Sequence, residues 1–255
     1  TLKDDFPLWL RQINSFYRKF LHYRAHLAQI EDEAIYDRNF YDTIGEDECI
    51  LVMDYKMKIN ASLFREAQAD WFGKRGFSLL GALILIPSDK PENYKAHYHF
   101  FLSDDTTQDA QYVNTVKEYI YKYIMPKYNI KKVHFRCDGA GCFVSSAIKQ
   151  EMSQWEHRTG IFEATYKNNV PGQGKGPLDG QFGIQSHAIN GAVNEGHSFE
   201  TAEQFYEICK EYRLENTFYY LLDLKRDQVN FSKESDKCIK ELKLGRRHYL
   251  LKNEK

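Results

Sequence analysis

Three short apolar runs lie close together in the first half of the chain and limit what it can fold into. Residues 49–57 read Cys-Ile-Leu-Val-Met-Asp-Tyr-Lys-Met, residues 77–86 are almost wholly apolar, and residues 96–102 read Ala-His-Tyr-His-Phe-Phe-Leu. Each is too short for a globular helix and is rich in strand-favouring residues. Pro87 and the turn-prone Ser88-Asp89-Lys90-Pro91 close the second run. Three strands this near in sequence predict an antiparallel meander.

Helices and strands then alternate. The apolar positions Val113, Val116, Tyr119, Ile120 and Tyr123 fit a 3.6-residue period over 109–125, with Pro126 as the stop. Residues 133–138 read as a fourth strand, 144–155 as a helix and 160–166 as a fifth strand. A Gly- and Asn-rich loop over 167–177 leads to a helix from Pro177 toward Val193, proline being suited to a first helical position. Residues 198–224 are expected to be helical, capped by Ser198 or Thr201, with Phe205, Ile208, Tyr212, Phe218, Leu221 and Leu222 in the core. At the other end, residues 1–48 read as helix, with Phe6, Leu10, Ile13, Tyr17, Phe20, Leu21, Leu27 and Ile30 between Arg11, Arg18, Lys19 and Arg24. The basic tail holds Lys243, Arg246, Arg247 and Lys252. The expectation is an α/β fold, a mixed five-stranded sheet covered by helices. It spans residues 49–195, between a helical N-terminal extension (1–48) and a helical, basic C-terminal one (196–255).

Composition bounds the function classes. Aromatics reach 15% and hydrophobics 42%, which favours a packed core over disorder. The net charge of -1 supplies no global basic signature, so any nucleic-acid contact must come from local patches. Cys49, Cys137, Cys142, Cys209 and Cys238 form no CxxC pair, which argues against a disulfide framework or zinc site and for reduced thiols in the nucleus or cytoplasm. No run approaches the ~20 apolar residues of a membrane span, and no signal peptide is visible. A start at Thr1 rather than Met suggests a fragment or a processed chain.

Two of the strands end on an acid, Met53-Asp54 and Cys137-Asp138. Singly, each fits a strand cap or turn. On neighbouring strands, both carboxylates would enter one cleft, and a hard divalent cation would relieve their repulsion. The Gly172-Gln173-Gly174-Lys175-Gly176-Pro177-Leu178-Asp179-Gly180 segment allows close backbone approach to an anion, with Lys175 near a phosphate and Asp179 in the first helical turn. It lacks the spacing of a Walker A loop. His97 and His99 would share a strand face, as a metal pair or as ordinary packing. Gly139-Ala140-Gly141 after Asp138 leaves room for a nucleic-acid backbone, and Cys142 has no base beside it in sequence. Trp71, Lys74 and Arg75, between the first two strands, are candidates for stacking on bases and pairing with phosphates.

The element order, Leu-Val-Met-Asp54-Tyr-Lys, His-Phe-Arg-Cys-Asp138-Gly-Ala-Gly and Gly-Lys-Gly-Pro-Leu-Asp179-Gly together resemble the RNase H-like catalytic core of DDE/D transposases and retroviral-type integrases, loosely the Mutator-like and Kyakuja-Dileera-Zisupton groups. The resemblance covers about residues 49–195. That motif often begins with His where Gln173 stands here. The resemblance implies Mg²⁺ or Mn²⁺ held by Asp54 and Asp138, with Asp179 as third acid and Glu195 and Glu163 as competitors. Gly174, Lys175, Gly176, Lys74 and Arg75 are the implied nucleic-acid contacts. It further implies phosphodiester cleavage and strand transfer on DNA (transposon ends and target), with a homodimer as a fitting assembly. Two other readings stay open: a domesticated, non-catalytic RNase H-like binding module, and an RNase H-like nuclease or resolvase.

Overall fold

The computed structural model describes residues 2–41, 43–68, 72–88, 94–169, 176–222 and 248–250. Trp71, Gln173, Gly174, Lys175, Cys238 and the basic residues of the tail lie outside the described residues. The chain divides into two units, residues 1–43 and 44–255. The first is one 40-residue helix, α1 (Leu2–Tyr41).

The second unit is built on a mixed sheet. Its strands are β1 (Glu48–Ile59), β2 (Phe77–Pro87), β3 (Tyr94–Ser103), β4 (Lys132–Cys137), β5 (Phe162–Asn168) and β6 (Thr217–Leu221), with a three-residue β7 (His248–Leu250). The spatial order is β6-β3-β2-β1-β4-β5-β7. As the sequence suggests, β1, β2 and β3 form an antiparallel meander. β4 lies parallel to β1 on its other side, and β5 parallel to β4. A parallel neighbour needs a crossover. For β1 and β4 the connecting chain includes α2 (Ala110–Tyr119); for β4 and β5 it is α3 (Gly141–Val144), α4 (Ser146–Met152) and α5 (Trp155–Thr159).

β2 shows why the run at 77–86 is apolar without alternation: Phe77 to Leu85 are all buried, as expected of a strand covered on both faces. One face, with Leu51, Met53, Leu80, Ala82, Phe101 and Phe135, meets α2 to α5 through Val113, Val116, Phe143, Ile148 and Trp155. On the other lie α6 (Pro177–Asn194) and α7 (Ala202–Glu211). There Phe182 stacks on Phe100, and Phe205 meets Phe77 edge-on.

Three expectations need correction. Pro126 does not end the helical path: α2 widens into a π turn over Ile120–Ile124, and Pro126 sits early in a 3₁₀ turn, Met125–Tyr128. A proline is tolerated in the first turn because its missing N–H has no partner to lose there. The expected helix at 144–155 is broken into short pieces, α4 starting afresh where Ser145 caps it. Most consequentially, the helix expected over 198–224 stops at Glu211, and Thr217–Leu221 becomes β6, parallel to the exposed edge of β3. The Thr-Phe-Tyr-Tyr-Leu composition favours a strand, and the open β3 edge supplies its hydrogen bonds. Thr201 rather than Ser198 caps α7; Ser198 accepts from the Phe64 amide instead.

The α2-side core contains one buried ion pair. Lys117 Nζ lies 2.7 Å from Glu163 Oε2, both side chains fully buried, and the Tyr121 hydroxyl donates to the same oxygen at 2.8 Å. The ammonium is 4.1 Å from the Phe135 ring centroid, with Trp155 and Tyr166 on other sides. Glu163 Oε1 has no hydrogen-bond partner among the described residues, so the pair leans on Coulomb attraction and the ring faces. Removing one member strands a buried charge, at a cost of roughly 3–5 kcal/mol. Glu163→Ala should therefore lower the melting temperature by on the order of 10 °C in calorimetry. Lys117→Met combined with Glu163→Leu should lose less than either single change, and an unchanged Tm for Glu163→Ala would contradict this account.

Candidate metal centre

In the parallel ladder the last register pair is Met53 with Cys137. Asp138 follows directly beyond β4. β1 runs on to Ile59, so Asp54 lies within its strand, level with the end of β4, and not at a strand end as the sequence suggests, because pairing with β2 continues past it. Backbones so paired are roughly 4.8 Å apart. Side-chain alternation fixes the face. Leu51, Met53, Phe135 and Cys137 point into the α2-side core, which puts Asp54 and Asp138 on the α6 side. Asp54 also stands opposite Gly81 of β2. Gly81 matters because α6 presses close here: a Cβ would come within 2.6 Å of the Phe182 ring and 3.0 Å of Leu178. The bare backbone lets α6 settle onto the sheet, with its first turn near enough for the charge of Asp179 to act on Asp54.

Electrostatics ties the three acids together. Asp54 is pushed up to about 6, first by burial and then by the charges of Asp138 and Asp179. Cys142 is raised to about 11 by burial and by Asp138 and Asp54, so this thiol lies in the same field and is protonated at neutral pH. Local hydrogen bonds hold the other two carboxylates: Asp138 Oδ1 accepts from the Ala140 amide, and Asp179 Oδ2 from the Gly176 amide. Among the described residues, no three His, Cys, Asp or Glu side chains converge tightly enough to hold a metal ion as they stand. The donor set suits a hard cation, all oxygen and with unrelieved like-charge repulsion. Its binding would require Asp138 and Asp179 to swing from their backbone partners or share their second oxygens.

The competing acids lie elsewhere. Glu163 is on the opposite face, tied to Lys117. Glu195 caps the far end of α6 and accepts from the Tyr212 hydroxyl. Sixteen residues of helix separate it from Asp179, about 24 Å. Asp104 accepts from the Ala202 amide at the start of α7, a structural role. His97 and His99 pack against Tyr128, Phe218 and Tyr220, and burial holds His99 down at about 3. They serve as aromatic packing surface.

Of the expected nucleic-acid contacts, Gly176 is the exposed N-cap of α6, in extended backbone. Lys74 is engaged, ion-paired with Glu66 and donating to the Ala61 carbonyl. Arg75 is exposed, as are Phe64, Arg65 and Phe72 in the same β1–β2 connection. Sequence reasoning overlooked Lys56, which strand alternation from Asp54 could have found. It shares the Asp54 face and donates to the Phe182 carbonyl at 2.8 Å and to the Ser186 hydroxyl. It borders a pocket of about 260 Å³ with Asn60, Ser62, Asn190 and Phe205.

The family described as "Domain of unknown function (DUF8701)" matches residues 34–248, a span that takes in all three acids. The chain belongs to the DUF8701 family. No curated protein and no solved structure matches it. The DUF8701 match begins within α1 and contains the whole sheet except the last two residues of β7. In this DUF8701 chain no described helix is long and apolar enough to cross a membrane.

The raised Asp54 acid gives a stability prediction with a definite sign. The folded state holds its proton to higher pH than the unfolded chain, so stability falls as pH rises from about 4 through 6, and stays lower above. Allowing for partial exposure, the penalty above pH 6 is on the order of 1–2 kcal/mol. Asp54→Asn should then raise the Tm by a few degrees at pH 7.5 and leave it unchanged at pH 4. A gain that is the same at both pH values would show that the carboxylate is not under strain.

Proposed function

We propose that the sheet unit is an RNase H-like catalytic core that cleaves and rejoins DNA phosphodiesters with Mg²⁺ or Mn²⁺, in the manner of DDE/D transposases. The observation that carries this is the placement of Asp54, within β1, beside Asp138, directly beyond the end of the parallel neighbour β4, with Asp179 bearing on Asp54 from the first turn of α6. The meander followed by β4 beside β1 is the topology this reading asks for. When bound, a divalent ion would supply charge neutralisation and Lewis acidity at the phosphoryl oxygens.

The chain's own residues have definite tasks under this reading. Asp54 and Asp138 supply anionic oxygens from rigid strands, and Asp179 supplies a third from a helix whose seat depends on Gly81. Gly139 and Gly141 beyond Asp138 have no atoms within 4 Å of a would-be Cβ, which leaves space for a sugar-phosphate backbone. Exposed Phe64, Arg65, Phe72 and Arg75 offer ring faces and cations to a strand that passes the β1–β2 connection.

A non-catalytic DNA-binding module is the second reading, favoured by the absence among the described residues of a ligand group already drawn together. Plasmid nicking and strand transfer, measured with Mg²⁺ and Mn²⁺ on wild type, Asp54→Asn and Asp138→Ala, separate the two. The catalytic reading expects metal-dependent products that fall at least ~10³-fold in both variants. Equal products from all three proteins, or none from any with DNA affinity intact, would favour the binding module. Parallel assays on RNA–DNA hybrid and branched DNA distinguish a transposase from a hybrid nuclease or resolvase.

A further inference from the structure

α1 carries a pattern that the proposed site does not use. Trp9, Ile13, Phe16, Phe20, Tyr23, Leu27, Ile30 and Ala34 are spaced alternately by four and three residues, without a break. The period is 3.5, that of a coiled-coil seam, sustained for more than three heptads. Seven of the eight are exposed and Ile30 is half-buried: Phe16 is 71% exposed, Trp9 61%, Ile13 59% and Tyr23 58%. A straight helix drifts about 20° per heptad relative to such a stripe, so a partner that follows it must wind around α1.

We propose that α1 pairs with α1 of a second copy of this chain as a parallel, two-stranded coiled coil. Length singles out the occupant. The seam from Trp9 to Ala34 runs about 38 Å, and α6, the next longest described helix at 18 residues, already covers the sheet. A second α1 has both the length and the matching repeat. Area is sufficient: four of the eight seam residues are aromatic, and covering the seam on both helices removes on the order of 1,000–1,500 Å² from water, the size of a stable specific interface.

Seam width selects the direction: the apolar strip is broadest in the N-terminal half, where Leu10 and Tyr17 flank it, and a parallel pair sets broad half against broad half. In a parallel, in-register pair, His26 meets Glu31 and Glu33 meets Arg38 across the seam, while Lys19 meets Arg24. Only Glu33–Arg38 pairs opposite formal charges, against the like charges of Lys19–Arg24, so charge is balanced and leaves the choice to the apolar width of the seam. Leu10 and Tyr17 occupy the corresponding positions in the N-terminal half and widen the apolar strip there.

Sedimentation equilibrium on the full chain tests this. Wild type should have twice the 30.1 kDa mass of one chain at micromolar concentration. Phe16→Glu with Phe20→Glu should return the single-chain mass, while Arg18→Glu with Ala25→Glu, which adds two glutamates on the opposite side of the helix, should keep the doubled mass. Unchanged thermal unfolding of the sheet unit guards against misfolding of the seam variant. Ala34→Cys should form a covalent dimer on mild oxidation beyond that of wild type, because parallel register places the two positions side by side. A single-chain mass for wild type at every concentration, a doubled mass for the seam variant, or a mass of three or four chains overturns the pairing. Failure of Ala34→Cys to cross-link overturns the parallel register.

Discussion

Backbone hydrogen bonds between β1 and β4, from the Glu48–Lys132 pair to the Met53–Cys137 pair, hold together two segments 84 residues apart in sequence. This ladder is where the meander passes into the crossover half of the fold, and the rest of the molecule depends on it. The ladder seats α2 against one face, because the chain that links β3 to β4 must cross the sheet. It fixes the parity of both strands, so that Leu51, Met53, Phe135 and Cys137 enter one core while Asp54 and Asp138 emerge together on the other side. A shift of one residue in either strand would exchange core and cleft and separate the acids.

The two faces of this sheet are stabilised in different ways. On the α2 side a charged pair is buried outright, under four aromatic rings, where attraction and packing offset desolvation. On the α6 side three half-buried carboxylates lie near one another, and burial together with the charges of Asp138 and Asp179 raises Asp54. A raised, half-buried carboxylate beside two further acids, in a fold that neutralises buried charge elsewhere, is what the proposed metal-binding role would ask for. Gly81 joins the two demands, since its missing side chain permits the close approach of α6 and the delivery of Asp179.

Residues distant from the acids set the reach of the molecule. β6 closes the β3 edge and extends the sheet beyond the five strands read from sequence. α1 forms a unit of its own, with a heptad seam that accounts for its aromatic content without a catalytic role.

The sequence by itself determined the elements whose burial is extreme or whose ends are chemically marked. β2 was legible because its residues are buried on both faces, α6 because Pro177 opens it, and the aspartates because apolar runs stop at them. Local chemistry suffices in such places, since the signal and its cause lie in the same few residues. The sequence already favoured Asp179, from its place at a helix start in the Gly-Lys-Gly-Pro-Leu-Asp-Gly segment; tertiary structure added the distance of its competitors, Glu195 at the far end of α6 and Glu163 on the opposite sheet face. It also decided that Thr217–Leu221 is a strand, since a free β3 edge is a partner no local pattern can announce. Lys56 and Gly81 took their meaning from α6, packed over them from more than 90 residues away in sequence, because contact between distant segments exists only once the sheet has formed.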